Sequence, residues 1–284
     1  MAKSQSVYST FSCALQKRTM AVMDIMTLFI AAVFVLAGLV KGVTGMGLPT
    51  VAVALLSLRM APLEAAALLI VPSALTNVWQ LATGTALYPL WRRLRAMLLA
   101  VCVGTGIGGW LLLAPTGDSV TQFQAAGGGG SAVWTPAVLG VLLAGYGVLG
   151  LSGWRGRMPA TAQRWAGPLA GLATGVIASV TGVFIMPSAP YLQALGLDRE
   201  DLVQALGLSF TVSTLALAAM LAWRGEWHAA AATGSFLALL PAALGIVIGQ
   251  WLRQRMSAVV FRRCFFVALV ALGAHQCIRA AMMV

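Results

Sequence analysis

Hydrophobic residues occur along the chain in long blocks, at about 25–43, 63–83, 96–114, 134–153, 167–186, 202–222, 230–251 and 259–282. Each block approaches the ~20 apolar residues that an α-helix needs to cross ~30 Å of hydrocarbon. The pattern therefore predicts an all-α polytopic membrane protein with about eight transmembrane helices. A ninth apolar stretch, about 46–58, follows the first block after a glycine-rich interruption. It is too short to cross and predicts a broken or re-entrant segment. Such backbone survives at membrane depth only when surrounded by protein or a watery cavity.

Composition agrees with this pattern. Of the 284 residues, 60% are hydrophobic and only 9% charged, against about 25% charged in a soluble domain. So few charges cannot cover the surface of two soluble domains, and they exclude a disordered chain. The net charge of +11 calls for no nucleic acid, because membrane proteins concentrate Lys and Arg in cytoplasmic loops. The partners expected are the lipid bilayer and a small anionic substrate, and the pattern is compatible with a homo-oligomer.

With the N-terminus inside, the cytoplasmic side holds Lys3, Lys17, Arg18, Arg92, Arg93, Arg95, Arg155, Arg157, Arg164, Arg224 and Arg279, and the outer side six arginines. The excess favours a cytoplasmic N-terminus in a bacterial inner membrane. The loop from Arg253 to Arg263 opposes that orientation. Residues 1–22 read as a cytoplasmic tail, and 115–133, with Gly127–Gly130 and no Lys or Arg, as an outer linker.

The sequence also repeats weakly. At an offset of 137, Thr44-Gly45 matches Thr181-Gly182 and Glu64 matches Asp201; Pro49 and Pro187 agree within one residue. Gly104-xxx-Gly108-x-Trp110-Leu111 resembles Gly245-xxx-Gly249-x-Trp251-Leu252. The repeats are placed at 23–153 and 167–284, joined by a cytoplasmic linker at 154–166. Four spans in each copy return the chain to its starting side, which predicts two parallel four-helix repeats with the substrate site between them.

Candidate chemistry lies in the interruptions. Gly38, Lys41, Gly42, Thr44, Gly45, Gly47 and Pro49 fall within twelve residues. Glycine and proline break a helix, and a break offers backbone N–H groups and the positive end of a helix dipole to an anion. Lys41 adds a formal charge. The second-half counterpart has Ser179, Thr181, Gly182 and Pro187 but no charge. Asn77 and Gln80 are i,i+3 neighbours on one helix face, and their counterpart, Ser209 to Thr214, offers hydroxyls. The expected substrate-binding set is Lys41, Gly42, Thr44, Gly45, Gly47, Asn77, Gln80, Ser179, Thr181 and Gly182, around two facing breaks. Glu64 and Asp201 are acids suited to first helical turns, with a proton-coupling role as the weaker reading.

No catalytic constellation is visible. Cys13, Cys102, Cys264 and Cys277 are isolated, and neither His228 nor His275 has a partner at metal or nucleophile spacing. No metal, cofactor or enzyme activity is expected.

The segments GLVKGVTGMGLPTVAVALLSL and MAPLEAAALLIVPSALTNVWQ, with GLATGVIASVTGVFIMPSAPYLQALGL in the second half, resemble the TauE/SafE sulfite-exporter family. The resemblance implies a duplicated four-helix unit and transport of small sulfur-containing or carboxylate anions such as sulfite, sulfonates or sulfoacetate. The family's motif falls on Lys41, Gly42, Thr44, Gly45, Gly47, Pro49, Asn77 and Gln80. The second half departs from it, having Ala178 where the first has Lys41. The expected function is a secondary exporter of such anions. The alternatives are a proton-coupled importer of the same anions and a membrane assembly protein without transport.

Overall fold

A computed structural model describes residues 25–45, 48–82, 84–111, 131–153, 156, 158–225, 227, 229–255 and 258–282. The predicted N-terminal tail and most of the glycine-rich linker lie outside these residues, as do Gly47, Cys13 and His228. Among the described residues there is no strand. The helices are α1 (Ile25–Thr44), α2 (Leu48–Leu56), α3 (Pro62–Ala82), α4 (Leu87–Leu111), α5 (Ser131–Ser152), α6 (Ala160–Thr181), α7 (Ser188–Ala194), α8 (Arg199–Trp223), α9 (Ala229–Arg255) and α10 (Ala258–Ala281). Seven of them, α1, α3, α4, α5, α8, α9 and α10, are long and apolar enough to cross a membrane. The chain is an all-helical, multi-pass membrane protein.

The other three helices are α2, α6 and α7, and the two short ones, α2 and α7, each turn back along the helix before them. Arg59, just past α2, lies over the Phe29 ring near the start of α1, 6.0 Å from its centroid. The short helix α2 has thus returned to the end where α1 begins, called proximal here. In the second half the Met158 N–H, ahead of α6, donates to Ala194 O at the end of α7 (3.0 Å), and Tyr191 Oη donates to Gln163 O (3.3 Å). The α6–α7 hairpin opens at the opposite, distal end. There Arg93 of α4 reaches both Gln163 Oε1 (3.1 Å) and Leu195 O (3.4 Å).

Each hairpin is followed by three helices long and apolar enough to cross: α3, α4 and α5, then α8, α9 and α10. The second hairpin thus opens at the end opposite to the first, which differs from the parallel pair of four-helix repeats expected from the sequence. Hydropathy marks an apolar helix but not the direction in which the chain leaves it, so a hairpin counts falsely as one crossing.

Close helix crossings hold the bundle together. A Cβ at Gly104 or Gly175 would lie 2.2 Å from Leu172 O or Val101 O, so α4 and α6 meet backbone to backbone. The crossing of α1 with α9 is built alike: Gly38 faces Ala242 O at 2.2 Å, and Gly245 faces Val35 O at 2.1 Å. In α5 and α10, Gly140 and Gly273 face each other. Small residues permit such approach where lipid supplies no hydrophobic drive between helices. Burial places α2, α3 and α8 at the centre. Eight of the nine α2 residues are buried, and 72% of the apolar window of α8 is enclosed, against 28% for those of α5 and α9.

Candidate anion site

Each hairpin turns on a glycine with positive φ: Gly45 at 78° and Gly182 at 69°. Only glycine enters this left-handed region without strain. Both close their helix identically, the Gly45 N–H donating to Lys41 O (2.8 Å) and the Gly182 N–H to Ala178 O (2.9 Å).

The two turns do not face each other. Gly45 packs on Val203 in the first turns of α8, and Gln80, near the end of α3, donates to Val203 O at 2.6 Å. Gly182 packs instead on Pro62 O and Ala66 at the start of α3. At ~1.5 Å per residue along α3, the turns are roughly 20 Å apart. The two breaks therefore belong to two separate clusters toward opposite ends of α3, and do not enclose one pocket between them.

The distal cluster is polar and enclosed. Lys41 is 7% exposed and Asn77 0%. The Lys41 ammonium donates to Asn77 Oδ1. Asn77 Nδ2 donates to Ser73 Oγ (3.1 Å), and Ser73 Oγ shares a proton with Thr214 Oγ1 of α8 (3.2 Å). This chain of polar groups links α1, α3 and α8 through the core. Among the described residues Lys41 has no carboxylate partner and one acceptor for its three N–H groups. A buried charge without a counter-charge is costly, and an oxyanion supplies both the charge and the missing acceptors.

Pro72 lies inside α3, and the nearby Val71 N–H donates to Ser235 Oγ of α9 (3.0 Å) instead of relying on the helix alone. Proline opens the i→i−4 ladder at this point. The buried hydroxyls of Ser209 and Ser213, one turn apart on α8, have no hydrogen-bond partner among the described residues. The run from Ser209 to Thr214 offered hydroxyls in the sequence, but nothing there indicated that these two would be unpaired.

The other predicted residues have different surroundings. Gly42 is a crossing glycine, since a Cβ there would meet Ile246 O at 2.4 Å. Thr44 Oγ1 donates to Val40 O (2.8 Å). In the proximal cluster, Ser179 Oγ donates to Val176 O (2.7 Å) and faces Gly108 across the α4 crossing. Thr181 Oγ1 donates to Ile177 O (2.8 Å) and accepts the Val183 N–H (3.2 Å). These hydroxyls satisfy local backbone. Glu64 is exposed in the first turn of α3 and accepts the Ala61 N–H at 3.3 Å; Asp201 lies in the first turn of α8. Both placements suit the helix dipole. Among the described residues no group of His, Cys, Asp and Glu could hold a metal ion.

A family model described as "Sulfite exporter TauE/SafE" matches residues 30–275, which include every helix from α2 to α9. No curated protein and no solved structure matches the chain significantly. With a match over most of its length and an apolar helical bundle to go with it, the chain belongs to the TauE/SafE sulfite exporter family of membrane transporters.

Proposed function

We propose that this protein exports a small sulfur-containing or organic oxyanion, of the sulfite, sulfonate or sulfoacetate class, across the bacterial inner membrane, and that Lys41 binds it. The observation that carries the reading is a buried lysine amino group on a hydrogen-bonded amide–hydroxyl chain with no carboxylate beside it. The Asn77 amide fixes the ammonium, and the Ser209 and Ser213 hydroxyls offer further donors on α8. Export needs no coupling ion, because each negative charge leaving an inside-negative cell gains about 2.3 kcal/mol per 100 mV.

The two halves are read as inverted repeats about an axis in the membrane plane, in place of the parallel pair. Hairpins turning on Gly45 and Gly182, and the matched α1–α9 and α4–α6 crossings, support this reading. In inverted-repeat transporters the halves rock or gate about a central site. Lys41 then serves the distal-facing state, and the Gly182 hairpin gates the proximal side.

The distal end is read as cytoplasmic. Among the described residues it carries Arg92, Arg93, Arg95, Arg164, Arg199, Arg253, Arg255, Arg262 and Arg263, and the proximal end only Arg59, Arg224 and Arg279. Nine against three satisfies the positive-inside rule and removes the conflict over the Arg253–Arg263 loop. The N-terminus is then outside, opposite to the orientation expected from eight simple crossings.

The test is sulfite efflux from proteoliposomes. An ammonium ~4 Å from an anion contributes about 4 kcal/mol at an effective dielectric of 20. Lys41→Met should therefore weaken binding roughly 10³-fold and abolish efflux at micromolar substrate. Unchanged efflux in a folded Lys41→Met protein removes Lys41 from the site.

A further inference from the structure

A second basic feature lies outside the Lys41 cluster, and the transport reading draws on its arginines only as charges at the distal end. Arg92, Arg93 and Arg95 at the start of α4 and Arg164 at the start of α6 line one cleft of about 210 Å³, and none of its lining residues is acidic. A cleft of this size holds several waters, which leaves room for a phosphodiester group. None of these residues belongs to the Lys41 cluster.

The cleft is built rather than incidental. Arg93 is tied down by Gln163 Oε1 (3.1 Å) and Leu195 O (3.4 Å). Gln163 is itself held by its Nε2 donating to Met158 O (2.8 Å), while Tyr191 Oη caps the Gln163 carbonyl (3.3 Å). Arg92, Arg95 and Arg164 have no hydrogen-bond or ion-pair partner among the described residues. Three exposed guanidinium groups thus line the cleft beside a fourth that is already held. Guanidinium forks match phosphate oxygens, so an anion there would pair with groups that otherwise have no partner.

The surroundings identify the source of the anion. Tyr88, Trp91 and Trp165 beside the arginines are 70%, 47% and 78% exposed. Aromatic residues of this kind sit at headgroup level in membrane proteins. Further along the same helices, Leu99 and Leu169 are also exposed, as lipid-facing residues are. The cleft therefore opens at the depth of lipid phosphates, at the arginine-rich end where an anionic leaflet is expected.

We infer that this cleft binds the phosphate of an anionic phospholipid headgroup. A basic residue near an anionic surface contributes roughly fivefold in affinity, so removing the three unpartnered arginines should weaken binding roughly 100-fold. The protein, delipidated in detergent, is titrated with short-chain phosphatidylglycerol, with phosphatidylcholine of the same chain length, and with inorganic phosphate, and its melting temperature is followed. Phosphatidylglycerol should raise the wild-type melting temperature saturably, while phosphatidylcholine and phosphate at matched concentrations should not. The Arg92→Gln/Arg95→Gln/Arg164→Gln protein should lose the response. Each single variant should lower the apparent affinity about fivefold, which keeps the test decisive if the triple variant does not fold. Arg253→Gln, at the same end but outside the cleft, should leave it unchanged. An equal response to phosphatidylcholine, retention of the response in the arginine variants, or an equal loss in Arg253→Gln overturns the site. A response to phosphate as strong as to phosphatidylglycerol overturns the lipid assignment in favour of a soluble anion.

Discussion

Gly104 and Gly106 stand two residues apart on α4 and should respond oppositely to the same substitution. A Cβ at Gly104 would lie 2.2 Å from Leu172 O and 3.0 Å from Leu172 C and Cα. Carbon atoms in contact normally sit about 3.5–4.0 Å apart, so α6 would have to withdraw by about 1 Å or more. It cannot do so locally, because Gly171 and Gly175 press equally close, with Met97 O and Val101 O at 2.2 Å. Overpacking of this kind costs about 1–3 kcal/mol. At Gly106 an added methyl meets nothing within 4 Å, and replacing a mid-helix glycine with alanine gains about 0.5–1 kcal/mol. Gly104→Ala should therefore destabilise and Gly106→Ala should stabilise, a separation of about 1.5–4 kcal/mol. Reversible unfolding in mixed micelles with increasing dodecyl sulfate measures both. Shifts of the same sign, or a Gly104→Ala protein as stable as wild type, would refute the backbone-to-backbone crossing.

Three further outcomes are expected. On a cysteine-free background, Arg59→Cys should react with an impermeant maleimide added to whole cells and Arg253→Cys should not; the reverse pattern overturns the proposed orientation. Arg279→Ala removes a guanidinium that donates to Ser57 O and Leu58 O, both at 3.2 Å, where α2 ends. Its loss leaves helix-end carbonyls unpaired and should cost about 1–3 kcal/mol, read by the same unfolding titration. Ser235→Ala removes the α9 hydroxyl that accepts from the Val71 N–H beside Pro72; it should lower stability by about 0.5–1.5 kcal/mol, and Ser235→Thr should recover most of that.

How much of this was legible in the sequence can be followed residue by residue. The apolar blocks announced helices, and Thr44-Gly45 and Thr181-Gly182 marked two turns that both require φ > 0. Glu64 and Asp201 marked first turns. Chain direction was not legible, because α2 is as apolar as a crossing segment and only contacts such as Arg59 with Phe29 reveal the return. The Arg253–Arg263 loop did carry the signal: its charge contradicted a count of eight crossings and fits hairpins. For the candidate site, Lys41 and Asn77 stood out individually, but their pairing across α1 and α3 is a tertiary fact. Ser179 and Thr181 resembled ligand donors because a hydroxyl that bonds its own helix backbone reads the same in sequence as one that faces a cavity.

The most direct test of the account is sulfite binding by Asn77→Asp, followed as a rise in melting temperature with added sulfite. The substitution changes one atom group and places a carboxylate against the Lys41 ammonium. If Lys41 holds the anion, the internal ion pair satisfies that charge, so the protein should stay folded yet show no sulfite-dependent rise, while wild type rises with concentration. A folded Asn77→Asp protein that binds sulfite as tightly as wild type would contradict the assignment of Lys41 as the anion's partner.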